Sequence, residues 1–281
     1  MNTFKHAHMV LGLLFAVSAL ILLSTCIVSG KTVADMRQAI VQFVIGKEAS
    51  LQTADFQELQ TDHFIIKFTS SDEECVNMIG KAAEKAYASV STFWGEKPAR
   101  KTMLIIYPDN LSMNESFGWE RNEKAMGVYW GGTIRVLTPR EWMQDPQEFE
   151  LFMREGPMVH EFTHLLVDQM TRGNYNRWWT EGVAQYVEKE ITGFKFVDPE
   201  KPIYYTLSEL EKDFDQLDQR SAYWESLLII EYIVEQYGEE SVYEIMCALG
   251  NGATMQQALE SSLGIGYAGF EIGFYQYWQD I

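Results

Sequence analysis

The residues best placed to do chemistry are His160-Glu161-Phe162-Thr163-His164. On a helix, positions i and i+4 lie one turn apart on the same face, so both imidazoles can reach one metal ion. Glu161 then stands beside the first ligand, where a carboxylate can take a proton from a metal-bound water. A catalytic zinc usually takes three protein ligands and keeps its fourth position open for water. Glu181 follows the aromatic pair Trp178-Trp179 and opens an apolar-periodic run, and it is the candidate third ligand. Elimination supports a carboxylate there. His6 and His8 precede a hydrophobic N-terminal segment, and His63 opens an early strand. Val167 and Met170 stand where the extended H-E-x-x-H-x-x-G-x-x-H pattern needs Gly and His. No cysteine lies between Cys75 and Cys247. Two imidazoles and a carboxylate suit Zn2+. The bland alternative is that His160 and His164 are satisfied polar groups on an amphipathic helix.

His160 to His164, followed by Trp178-Trp179-Thr180-Glu181-Gly182-Val183-Ala184-Gln185-Tyr186-Val187-Glu188, resembles the gluzincin branch of zinc metallopeptidases. More narrowly, it is similar to the compact peptidase MA-like domains of bacteria, over about residues 60–281. The resemblance implies that His160, His164 and Glu181 bind zinc and that Glu161 is the general base. It implies that Tyr223, in a Y-x-x-S helix start, is a donor to the oxyanion. It further implies that a strand edge at Gly127, Val128 and Tyr129 borders the substrate backbone, an ordinary covered edge being the alternative. The interval from His164 to Glu181 is shorter than in thermolysin-like or aminopeptidase-type members. The G-x-M-E-N segment of the aminopeptidases is missing, since Ala125-Met126-Gly127 is no substitute. The expected activity is therefore a zinc metallopeptidase of endopeptidase type, acting on a peptide or protein. The same residues could hydrolyse a non-peptide amide or ester. A catalytically inactive, membrane-anchored binding module is the alternative of another class.

The elements that must position these groups can be read in outline. Gly156-Pro157 starts the catalytic helix, which runs to about Met170, because proline suits a first helical turn. Asp168 reads as a solvated charge, with orientation of a ligand as the alternative. Thr180 reads as the cap of a helix over Glu181–Ile191. His63–Phe68 and Thr102–Tyr107 read as strands, and Ala125–Leu137 as a hairpin turning at Gly131-Gly132. Between the first two strands, Asp72 caps a helix to Trp94 that buries Cys75, Ile79, Ala82, Ala83, Ala86, Val90 and Phe93. Beyond Thr192 the chain is helical with breaks. The expected class is α+β: a small mixed β-sheet lobe with a zincin-type active-site helix (61–170), then an all-helical lobe (171–281), with the cleft between them.

With 40 acidic and 22 basic residues the net charge is -18. That excess argues against nucleic acid as a partner, since phosphate binding needs a basic surface. Met9–Val28 is a twenty-residue run without a charge, long enough to span a bilayer. Residues 1–30 are therefore expected to form a single-pass transmembrane anchor with the catalytic part extracytoplasmic, or a cleaved signal peptide. Residues 31–60, with Val33, Met36, Ile40, Phe43 and Val44 at helical spacing, read as a stalk or linker. Cys75 and Cys247 either pair in an oxidising compartment or remain free thiols. Oligomeric state is not legible.

Overall fold

Five strands build one mixed sheet in the order β1-β2-β3-β5-β4. They are β1 (Gln57–Gln60), β2 (Phe64–Phe68), β3 (Thr102–Tyr107), β4 (Gly127–Trp130) and β5 (Thr133–Leu137). The computed structural model describes residues 33–120 and 123–281. The uncharged run Met9–Val28, and with it the expected anchor or signal, lies outside the described residues. Among the described residues no helix is long and apolar enough to cross a membrane.

β3 pairs in parallel with β2 and β5, while β1 and β4 run antiparallel to their neighbours at the two edges. The central strand T-M-L-I-I-Y is buried almost throughout, as expected for a strand covered on both faces. The β4–β5 hairpin turns at Gly131 and Gly132 with φ of 50° and 90°. Two consecutive positive φ values are what a tight two-residue hairpin demands, and glycine adopts them without a Cβ penalty.

One face of the sheet carries the main core. The helix α2 (Val76–Trp94) packs there through Ile79, Ala82, Ala83, Ala86 and Val90, and Gly95 ends it in the left-handed conformation. Asp72 does not cap this helix. It is fully buried in a 3₁₀ turn, where Thr69, Ser71 and Arg140 claim its carboxylate and hold it away from the helix start at Val76. The opposite face carries α3 (Asn110–Phe117) and a smaller cluster of Ala49, Ile105, Tyr107, Met113 and Leu137. Cys75 is buried, and both it and Cys247 are free thiols.

The passage read as a stalk contains α1 (Val33–Gln52) and β1, and both lie against the domain. The apolar stripe of α1 is not what seats it. Ile40, Phe43 and Val44 are exposed, while Ala49 is buried and Ile45 lies against Gly131.

After α4 (Phe149–Glu155) and α5 (Met158–Thr171), six helices complete the second lobe. They are α6 (Arg177–Thr192), α7 (Leu207–Asp213), α8 (Gln219–Tyr237), α9 (Glu239–Gly250), α10 (Met255–Leu263) and α11 (Tyr267–Gln279). α6 and α8 meet closely at Gly182, where a Cβ would stand 2.3 Å from the Ser226 carbonyl oxygen. Absence of a side chain at Gly182 therefore fixes how near these two helices come.

Candidate metal centre

α5 begins directly after Pro157 and carries His160 and His164 one turn apart, with ring centroids 4.7 Å apart. α6 brings Glu181 across to them. Its Oε2 lies 3.4 Å from His160 Nε2 and 3.5 Å from His164 Nε2. Tetrahedral zinc with bonds of about 2.05 Å separates its ligand atoms by roughly 3.3 Å. Glu181 therefore stands from each imidazole at nearly the spacing that a zinc ion requires, and all three ligand atoms lie within 4.8 Å of one another. Among the described residues no fourth His, Cys, Asp or Glu joins this group.

The outer nitrogens of both imidazoles are engaged. His160 Nδ1 lies 3.2 Å from Glu188 Oε2, and His164 Nδ1 lies 2.6 Å from Thr180 Oγ1. A carboxylate accepts only, so Nδ1 of His160 carries a proton toward Glu188. The sequence pattern points to no role for Glu188, and for Thr180 only to that of a helix cap. Thr180 is not a cap: α6 starts four residues earlier, after Asn176 in extended conformation. Glu188 could have been found, because it lies seven residues after Glu181 and hence on the same face of the helix two turns on.

Charge is concentrated here. Burial disfavours protonated His160, but Glu181 and Glu188 outweigh it and hold its pKa well above the ordinary value. Burial likewise works to raise Glu181, yet the two imidazoles hold it well below the usual carboxylate range. Glu161 moves the other way. Burial lifts its pKa, helped by Glu181 and opposed by the imidazoles and the Tyr129 amide.

Glu161 sits in the first turn of α5, against the edge strand β4. Its Oε2 accepts a hydrogen bond from the Tyr129 backbone N–H. Gly127 makes this approach possible, since a Cβ there would stand 2.5 Å from Pro157 Cβ and 2.8 Å from Glu161 Cγ. Gly127 and Tyr129 therefore border the site, whereas Val128 packs into the small cluster on the other face of the sheet.

Tyr223, near the start of α8, donates its hydroxyl to Glu181 Oε1 at 3.0 Å and accepts from Arg177 Nη2 at 3.2 Å. Glu181 thus divides its two oxygens, one toward the imidazoles and one toward Tyr223. Burial and the adjacent Glu181 push the Tyr223 pKa up, which keeps the phenol protonated and able to donate.

Asp168 is neither solvated nor in contact with a ligand. It is buried, and its carboxylate accepts from Tyr129 Oη at 2.8 Å, Gln38 Nε2 at 2.8 Å and Gln42 Nε2 at 3.2 Å. These partners come from β4 and α1, far away in the chain.

The family model of the Peptidase MA superfamily matches residues 82–280. The chain belongs to the Peptidase MA superfamily. Solved structures similar to it include the M1 zinc metallopeptidase from Deinococcus radiodurans, at 13% identity and a TM-score of 0.42. A mutant of that protein matches at 12% identity and a TM-score of 0.43. Each alignment covers 79% of this chain and 50% of the other, so the chain spans half the length of these two structures. No curated protein sequence matches. His160, His164 and Glu181, expected as zinc ligands, form the one possible metal group of this Peptidase MA chain among the described residues.

Proposed function

We propose that this Peptidase MA chain is a zinc-dependent endopeptidase. The observation that carries the proposal is the convergence of His160 Nε2, His164 Nε2 and Glu181 Oε2 at 3.4 and 3.5 Å, one residue from a buried glutamate. These three residues would hold the ion. Zinc bound there supplies Lewis-acid polarisation of a carbonyl and lowers the pKa of a water.

The remaining roles belong to the chain. Glu161, whose pKa burial raises, accepts the proton of the attacking water and returns it to the departing amine. The Tyr129 N–H holds Oε2 and leaves Oε1 to carry that proton. Tyr223 is assigned the oxyanion, its one phenol proton swinging from Glu181 Oε1 to the substrate oxygen as charge develops there. An extended peptide would lie beside β4, an edge strand whose only strand partner is β5 among the described residues. An absent G-x-M-E-N segment leaves no feature for gripping a free amino terminus, which favours internal bonds over chain ends. The run Met9–Val28 would anchor the chain as a single-pass helix with this domain outside the cell, or direct its secretion and be removed.

The test is the Glu161→Gln variant, assayed on a library of extended peptides beside the zinc content of each protein. Loss of cleavage with about one zinc per chain retained supports the assignment. Turnover at the parent rate in that variant removes Glu161 from the reaction. A parent protein that binds zinc and cleaves nothing would turn the reading toward a binding module.

A further inference from the structure

We propose that Asp168 is a positioning residue for the general base, acting through Tyr129 and clamped by the N-terminal helix α1. This rests on the endopeptidase reading above and extends it to a part of the chain that touches no reacting atom.

The connection can be followed atom by atom. Glu161 Oε2 is held by the backbone N–H of Tyr129. The phenol of that same residue is held in turn, donating to Asp168 Oδ2 at 2.8 Å and accepting from the Gly132 N–H at 3.0 Å. Tyr129 is thus fixed at both ends, and with it the edge strand β4 across which Glu161 rests. β4 has hydrogen-bonded strand neighbours on one side only. An edge strand held from one side shifts more readily than a central one, so a second tether has something to do.

Asp168 lies four residues after His164 on α5, so one helix carries both the metal ligands and the far end of the tether. Two glutamines of α1 complete the shell around Asp168. Gln38 Nε2 reaches its Oδ2 at 2.8 Å and its carbonyl oxygen at 2.6 Å, and Gln42 Nε2 reaches Oδ2 at 3.2 Å. Tyr175 also bonds the carboxylate. One turn before Gln38, Asp35 pairs with Arg172 at 2.9 Å.

The seam between α1 and α5 is not a close-packed apolar contact. A cavity of about 240 Å³ opens there, lined by Arg37, Gln38, Val41, Gln42, Gly131 and Asp168 among others. Polar bonds to Asp168 and Arg172 therefore hold α1 at this end. Misplacing a catalytic group by about 1 Å can cost on the order of a hundredfold in rate. A tether on the strand that fixes Glu161 is accordingly a lever on turnover, with no contact to substrate or metal.

The experiment uses the full chain and three variants: Tyr129→Phe, Asp168→Asn, and the double variant Gln38→Ala with Gln42→Ala. Steady-state kinetics, zinc content and amide hydrogen exchange of β4 are measured on each. Tyr129→Phe should lower kcat about tenfold, leave zinc content unchanged, and speed exchange in residues 127–130. The double glutamine variant should move the same quantities in the same direction by a smaller factor. Asp168→Asn keeps an acceptor for the phenol and should stay within about threefold of the parent. Parent-like kcat and parent-like β4 exchange in Tyr129→Phe would overturn the proposal. So would loss of zinc in that variant, because the tether would then be supporting the metal ligands instead. The exchange measurement needs no turnover. Should the parent prove inactive, faster β4 exchange in Tyr129→Phe and in the glutamine variant would still establish the link, and unchanged exchange would still refute it.

Discussion

Glu225 is a buried carboxyl with no part in the proposed reaction, and it makes a quantitative prediction. It lies fully out of solvent on α8, two residues beyond Tyr223. One oxygen accepts from the Tyr205 N–H at 2.9 Å, while Oε1 has no hydrogen-bond partner. Burial raises its pKa to about 8, with the Tyr205 N–H opposing and Glu209 adding to the rise. In the unfolded chain a glutamate titrates near 4.3. Between roughly pH 4.3 and pH 8 the folded state keeps a proton that the unfolded state has lost. The stabilising contribution of this group is complete below about pH 4.3 and declines as pH rises, until it is gone above about pH 8. One proton corresponds to about 1.4 kcal/mol per pH unit, so between about pH 5 and pH 8 the wild type should lose roughly 4 kcal/mol through Glu225. Glu225→Gln carries no such proton. Urea denaturation of both proteins across this range, fitted with a common slope, should show their stability difference moving by about 4 kcal/mol in favour of the variant. Whatever constant cost the new amide adds cancels from that trend. Two stability profiles that run parallel with pH would refute the reasoning, because Glu225 would then titrate alike in the folded and unfolded chains.

Three other perturbations test other parts of the structure. Glu188→Gln should weaken zinc binding about 10- to 100-fold, measured by competition with a chelator, because His160 loses the carboxylate on its outer nitrogen. Gly182→Ala should destabilise the fold by about 3 kcal/mol in chemical denaturation, since the added methyl would meet the Ser226 backbone and no side chain there can turn aside. Arg135→Met should stabilise it by about 1 kcal/mol or more in the same assay. This arginine is fully buried over the Phe117 ring, and among the described residues its Nη1 reaches only Ser116 at 3.3 Å while Nε and Nη2 have no partner. A drop in stability would mean that the guanidinium is better satisfied than these contacts indicate.

Local patterns were legible in the sequence, and long-range ones were not. The turn of helix that aligns His160 with His164 is a property of five consecutive residues, and so is the paired glycine that turns the β4–β5 hairpin. The strand order is not local, since it depends on which parallel partner β3 takes on each side. β1 reads Q-E-L-Q and shows no apolar alternation, because an edge strand borrows its order from its neighbour. Asp168 was misjudged for the same reason. Three of its partners, Tyr129, Gln42 and Gln38, stand 39, 126 and 130 residues away, and aspartate is by default a surface residue. The N-cap position of α6 falls at Asn176 rather than Thr180, with no side-chain capping bond to mark it. Asn176 is an equally good N-cap type four residues earlier, and starting α6 there gives Thr180 a helical position facing His164.

The centre also joins the two halves of the fold. His160 and His164 lie on α5 beside the sheet, and Glu181, Thr180 and Glu188 all lie on α6 at the start of the helical lobe. Glu161, Glu181 and Glu188 place three buried carboxyl groups around two imidazoles that must be neutral to donate to a metal. Such an arrangement is costly to desolvate unless a positive charge lies within it. A dication held between α5 and α6 would neutralise most of that charge and would link elements from both lobes. Metal affinity and the cohesion of the two lobes are then aspects of one interaction, because a ligand bound only by the folded state stabilises that state. The short interval between His164 and Glu181 fits this arrangement. Between His164 and Glu181 lie the last seven residues of α5, residues 172–176 and the first four residues of α6, so α6 folds straight back against α5.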